Sequence, residues 1–139
     1  MRAQLSIMAS ALWWGSLSAV GLMVVPLLFV HLPSPTIAGQ MAAKLFTAQT
    51  WVSVVCCMSL LLLAQRRGDD AMPKWASSVM VFVIGGLLLA LLVEFGAAPR
   101  IVARENLRVW HTVGSAMHFA QWLCAGFTLW RLVGGMRRG

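Results

Sequence analysis

Apolar positions fill four long stretches of the chain, with short polar breaks between them. Residues 5–30, LSIMASALWWGSLSAVGLMVVPLLFV, are long enough to cross a hydrocarbon layer of ~30 Å at about 1.5 Å per residue. A secretory leader has a shorter apolar region and a small-residue cleavage site, whereas HLPSP follows here, so this helix is expected to be retained. His31 to Pro35 predicts a turn, because Pro33 and Pro35 lack amide donors and restrict the residues before them; Thr36 is then placed to cap the next helix. Residues 37–65 predict one long, tilted helix whose first turns mix Gln40 and Lys44 with small residues before the apolar run TWVSVVCCMSLLLLA. After a polar connection ended by Gly68 and Pro73, residues 75–95 form a third span and residues 103–132 a fourth. The pattern predicts an all-α membrane protein: one antiparallel four-transmembrane-helix bundle over residues 1–139.

Inside these spans a few positions predict packing. Gly15 and Ala19 form a small-xxx-small spacing on which another helix can pack closely, and Pro26 frees a carbonyl one turn back and bends the outer end of the first helix. Gly85 and Gly86 lower helix propensity in the middle of the third span, which a close helix contact there offsets.

The fourth span is the one apolar stretch that carries a line of ionisable residues. At about 100° per residue, Arg104, Arg108, His111, Ser115, His118 and Trp122 fall on one narrow face, and Arg100 extends it if the helix begins right after Pro99. Such side chains are costly against lipid, so this face is expected to turn toward the bundle interior or a water-filled outer cavity. Glu94, the acidic residue of the third span, lies where the chain turns toward Arg100, and an interfacial salt bridge to one of the arginines is expected there.

Composition strengthens the membrane reading. The chain is 60% hydrophobic and 11% charged, with a mean hydropathy of +0.80, against about 25% charged residues in soluble domains. The net charge of +7 does not indicate nucleic acid, because the arginines flank the spans and form no basic patch interleaved with aromatics on a soluble domain. It reports topology instead. Arg2, Arg66, Arg67, Lys74, Arg131, Arg137 and Arg138 share the side of the termini, seven against the four of Lys44, Arg100, Arg104 and Arg108, so both termini are expected in the cytoplasm. Cys56, Cys57 and Cys124 lie inside spans without a paired framework and read as small buried hydrophobes.

The polar residues therefore collect near one membrane face: His31, Lys44, Glu94, Arg100, Arg104, Arg108, His111, Ser115 and His118. Arg100, Arg104 and Arg108 at i, i+4, i+8 form a ridge suited to phosphate or carboxylate, which points to a small anion or a lipid headgroup. Copper or zinc is a second reading, with His31, His111 and His118 as candidate ligands. His111 and His118 are two turns apart, about 10 Å, so a small ion can take only one of them together with groups from other helices. Haem b is a third, with one histidine on the iron and arginines on the propionates. Simple pairing of the ridge with Glu94, Glu105 and lipid phosphates accounts for the same residues without a ligand. No GxSxG, phosphate loop, HExxH or facing carboxylate pair is present, so no catalytic residue is assigned. The partners expected are membrane lipids, a second copy or another membrane protein.

The segment WWGSLSAVGLMVVPLLFVHLPSPTIAGQMAAKLFTAQTW, with RENLRVWHTVGSAMHF after the third span, resembles the bacterial members of the transmembrane-protein-205-like family. The matching positions are Trp14, Gly15, Pro26, Phe29, Gly39, Phe46, His111 and Ser115; His118 stands close to where that family more often has Asn. The resemblance implies a four-helix protein of the bacterial inner membrane and says little about chemistry. More distantly, the first helix is similar to that of the copper-resistance D proteins and the HemJ-type protoporphyrinogen oxidases, which implies copper or porphyrin ahead of other ligands.

Overall fold

The computed structural model describes residues 1–65 and 74–136, which form four helical rods. The first consists of α1 (Arg2–Ser18), a π-helical segment π1 (Ala19–Val24) and α2 (Val25–His31); the second is α3 (Pro35–Ala64). The third consists of α4 (Lys74–Leu92), a second π-helical segment π2 (Val93–Ala97) and α5 (Ala98–Val102), and the fourth is α6 (Leu107–Met136). Three stretches, Arg2–His31, Pro35–Ala64 and Trp75–Val102, are long and apolar enough to cross a membrane. The polar connection at Gly68 and Pro73, and Arg66, Arg67, Arg137 and Arg138 of the charge count, lie outside the described residues.

Contacts set the directions. Trp14 meets Gly126, Ser18 meets Trp122 and Gly21 meets His118, so α6 runs antiparallel to the first rod. Phe82 with Phe127, Gly86 with Cys124 and Ala97 with Gly114 fix the same relation between the third rod and α6. The connections at 32–34 and 103–106 consequently share one end of the bundle, called here the turn end.

Burial is distributed as a membrane demands. Leu22, Val30, Val81 and Phe95 are exposed, while Ser6, Ser10, Gln49, Thr50, Ser53, Gln121 and Thr128 are buried alongside Trp13, Leu17, Leu60, Val79 and Val83. In water this would be a poor bargain; in hydrocarbon it satisfies polar groups within the protein and leaves apolar surface to lipid. The hydroxyls help themselves. Ser6, Ser10, Ser16 and Ser18 donate to the Arg2, Ile7, Trp13 and Trp14 carbonyls, three or four residues back, and Thr128 donates to the Cys124 carbonyl.

Close approach occurs at Gly86, one of the pair where it is expected, and at Gly21 and Gly126, which the spacing does not single out. Gly15 is exposed, and a Cβ there meets nothing within 4 Å, so the Gly15/Ala19 pair is not a helix contact. Gly85 is likewise open, but a Cβ on Gly86 collides with the Trp13 ring, which fills the space that glycine leaves. The three cysteines are free; Cys56 and Cys57 are buried and Cys124 partly so.

The helix ends also differ from expectation. Ser34, not Thr36, caps α3: its backbone is extended at φ −150° and its hydroxyl accepts the Ile37 N–H at 3.3 Å, with Pro35 opening the helix. The third rod does not stop at residue 95. It passes through π2 and Pro99 to Val102 and ends in a Schellman motif, in which Glu105 N–H bonds the Arg100 carbonyl at 3.0 Å and Arg104 N–H the Ile101 carbonyl at 3.1 Å. Arg104 holds the left-handed position of that motif at φ 58°, usually a glycine's place. α6 therefore begins at Leu107 instead of 103, and it runs on past residue 132 to Met136.

Each π segment precedes a proline by the same interval. Val25 N–H bonds the Val20 carbonyl and Pro26 has no N–H, so the Gly21 carbonyl loses both the donor an α-register and the donor a π-register offers. At the second junction Ala98 N–H bonds the Val93 carbonyl and Pro99 has no N–H, which orphans the Glu94 carbonyl in the same way. The bend expected at Pro26 is thus a widened turn upstream of the proline.

Candidate functional site

The Schellman turn dismantles the expected arginine ridge. Arg100 sits on α5, where its guanidinium donates to the Gly96 carbonyl at 2.9 Å and lies 4.4 Å from the centre of the Trp110 ring. Arg104 belongs to the turn, and Arg108 opens α6; both are exposed. Three residues that continuous helix would stack are distributed over a helix end, a left-handed turn and a new helix.

Along α6 the stripe lies on a flank of the helix, about a quarter-turn from the buried line Gln121, Ala125, Thr128 and Leu132. Whether a stripe residue is covered then depends on the neighbour at its level. At Gly21 the first rod still packs on α6, and His118 is inserted: its ring meets the Phe46 ring edge-on, with centroids 5.2 Å apart, and its Nε2 lies against Gly21. One turn deeper, Trp122 Nε1 donates to Ser18 Oγ at 2.7 Å. Beyond Gly21 the first rod packs on α3, so His111 and Ser115 have no such cover and are exposed. Of the two places expected for the stripe, the bundle interior receives His118, whereas Arg104, Arg108, His111 and Ser115 are outside it. His111, Thr112, Ser115 and Ala116 instead line an open depression of about 470 Å³.

The remaining candidates are dispersed. Lys44 is exposed, and His31 is exposed with Nδ1 3.1 Å from the Leu27 carbonyl. Among the described residues Glu94 makes no salt bridge; its carboxylate accepts the Thr47 hydroxyl at 3.0 Å. His111 has neither Glu94, Lys44 nor His31 as a hydrogen-bond or ion-pair partner. Among the described residues no three His, Cys, Asp or Glu side chains gather in a way that would hold a metal ion.

A second polar group was not singled out by the sequence. Gln49 Nε2 donates to Ser16 Oγ at 3.0 Å and to Ser53 Oγ at 3.4 Å, and Gln49 is 5% exposed. Among the described residues neither the amide nitrogen of Gln121, which is 3% exposed, nor His118 Nε2 has a hydrogen-bond partner. Since α3 and α6 run parallel and Phe46 meets His118, Gln49 and Gln121 stand at one level, a turn deeper than the His118–Phe46 contact. A signal for them existed: Gln121 falls three residues after His118, and Gln49 interrupts an apolar run. Buried donors left unpaired cost about 1–3 kcal/mol each, so this layer is where water or a ligand is most favoured.

Comparison with known proteins adds one match. The family described as a domain of unknown function, DUF4149, matches residues 8–109. It fits the expected uncharacterised membrane family and names neither the transmembrane-protein-205-like nor the copper-resistance D and HemJ-type proteins. No curated protein and no solved structure matches the chain.

Proposed function

The chain belongs to the DUF4149 family, and from that premise we propose a non-enzymatic membrane protein that binds the headgroup of an anionic lipid at the turn end of α6. The observation that carries the reading is the open depression lined by His111, Thr112, Ser115 and Ala116, with Arg108 one turn further out on the same flank. Its size suits a ligand, but it is open and not enclosed, which favours a molecule already lying in the bilayer over an enclosed solute. Arg108 and Arg104 offer charge to a phosphate, while His111, Thr112 and Ser115 offer hydrogen-bonding groups. Thr112 Oγ1 already donates to the Arg108 carbonyl, so its oxygen can accept from a headgroup hydroxyl and offers no proton to the phosphate. Glu94 does not belong to an anion site, since its carboxylate would repel the ligand, and Arg100 is committed to Gly96 and Trp110.

The same reading makes α6 a fourth span and puts the termini in the cytoplasm, so the depression faces the periplasm of a bacterial inner membrane. Kinship with the transmembrane-protein-205-like proteins is part of this proposal and rests on Trp14, Gly15, Pro26, Phe29, Gly39, Phe46, His111 and Ser115.

The test is lipid retention by native mass spectrometry of protein purified from mixed bilayers. Phosphatidylglycerol is expected to be kept over phosphatidylcholine, and Arg108→Ala to weaken that preference about fivefold, the equivalent of roughly 1 kcal/mol per basic residue. Arg104→Gly separates structure from binding: glycine suits the left-handed position, so the fold keeps its stability or gains up to about 1 kcal/mol while lipid preference falls. Equal retention of both lipids, unchanged by Arg108→Ala, rejects the proposal. A Soret band, or metal near one equivalent, would replace it with haem or copper handling.

A further inference from the structure

The exposed groups of α6 come in a definite order, which specifies more of a ligand than its charge. Arg108, Thr112, Ser115 and Phe119, at i, i+4, i+7 and i+11, lie on one line along the helix with His111 beside it, and all five are exposed. Ser115 stands about 10 Å below Arg108 along the axis, and Phe119 about 16 Å below it. The line therefore runs from a cation through hydrogen-bonding groups to an aromatic ring. It is left open because the first rod packs on α3 beyond Gly21, and His111, Thr112, Ser115 and Ala116 line the resulting depression.

Two independent features separate this flank from ordinary lipid-facing surface. Ser6, Ser16, Ser18, Ser59 and Thr128 donate to carbonyls three or four residues back, as Thr112 does to Arg108. Ser115 forms no such bond, and neither its hydroxyl nor the His111 ring has a hydrogen-bond partner among the described residues. Donors turned to hydrocarbon without an acceptor are costly, so these two call for acceptors that lie in the membrane below a phosphate. Phe119 supplies the second feature. It is 59% exposed, yet its ring is fixed: it stacks on Trp122 with centroids 5.8 Å apart and planes at 16°, and Trp122 is held by the Trp14 ring and by Ser18 Oγ. A fixed, largely exposed ring is a seat for a hydrocarbon chain.

We infer that the flank holds a whole diacyl glycerophospholipid, its phosphate at Arg108, its ester carbonyls accepting from His111 and Ser115, and an acyl chain along Phe119. The inference rests on the lipid reading of this flank and adds that the linkage, as well as the headgroup, is read. A soluble phosphate leaves Ser115 and Phe119 unmet. A polyprenyl phosphate brings charge and chain but no acceptor between them, so His111 and Ser115 stay unpaired in hydrocarbon. A glycerophospholipid carries ester carbonyls between its phosphate and its chains, the order in which α6 presents a cation, donors and a ring.

The test is native mass spectrometry of the full chain purified from bilayers that mix diester and diether forms of phosphatidylglycerol and of phosphatidylcholine, all with the same hydrocarbon chains. Diester phosphatidylglycerol is expected to be kept at least about fivefold over its diether, the worth of one neutral hydrogen bond. Ser115→Ala and His111→Ala, both at exposed positions, are each expected to reduce that ratio and together to bring the two linkages to equal retention, while phosphatidylglycerol stays preferred over phosphatidylcholine. Phe119→Ala is expected to weaken diester and diether alike and leave their ratio unchanged; full retention of both in that variant overturns the chain's seat. Equal retention of diester and diether with phosphatidylglycerol still preferred, or a ratio that the two substitutions together leave unchanged, overturns the inference and spares the anionic-headgroup reading. So does preferential retention of a polyprenyl phosphate added to the same bilayers. A diester preference shown equally by both headgroups supports the ester contact and defeats the anionic-headgroup reading, so the two fail separately.

Discussion

A methyl group at position 21 has nowhere to go. Its Cβ would lie 2.7 Å from His118 Nε2, and the imidazole is backed by the Phe46 ring. Gly21→Ala is therefore expected to lower stability by about 1–3 kcal/mol, the usual cost of overpacking, as measured by thermal unfolding in detergent. Adding His118→Ala should restore much of that loss; a double variant no more stable than Gly21→Ala alone refutes the clash. At this scale the sequence singled out the ionisable groups, because each stands out in an apolar run by its desolvation cost, but not their partners: the arginine ridge is split by the turn at Arg104, and Glu94 meets Thr47. For Gln49 and Gln121 the signal was weaker. An uncharged amide costs less against lipid, and its importance appears only when a particular face of α3 and of α6 is seen to be the buried one.

Elements are connected through glycines and prolines whose roles depend on a neighbour. Gly85 and Gly86 are adjacent and chemically identical, yet only the second lies against the Trp13 ring. Gly86→Ala should cost about 1–3 kcal/mol or force Trp13 from its pocket, seen as a changed near-ultraviolet dichroism or fluorescence maximum. Gly85→Ala, with open space around it, should be neutral or stabilise by about 0.5–1 kcal/mol through helix propensity. Equal effects at the two positions would refute this seating of the Trp13 ring against Gly86. The proline at position 26 announced a bend, but the π turn upstream of it and the matching π2–Pro99 junction did not appear in the apolar pattern, since widening a turn leaves hydropathy unchanged. The end of the third rod was misplaced for a similar reason. The Schellman turn is closed by Arg104, where a sequence reading looks for glycine.

For the whole molecule, the sharpest expectation is topological. Reporter fusions at both termini should read cytoplasmic, and insertions in the connections at 32–34 and 103–106 should read periplasmic, because seven basic residues stand against four. A terminus found outside would move both the α6 depression and Glu94 to the opposite membrane face. By itself the sequence determined that the chain is helical and membrane-embedded, where its apolar runs lie, and that one helix carries a polar face. These follow from transfer free energies summed along a run, which need no partner. Only the tertiary structure decided how each helix is rotated, and hence that His118 is inside while His111 and Ser115 are not. In lipid the two faces of an apolar helix differ little in polarity, so rotation is set by shape, by where a glycine admits an imidazole or an indole, and shape belongs to pairs of helices.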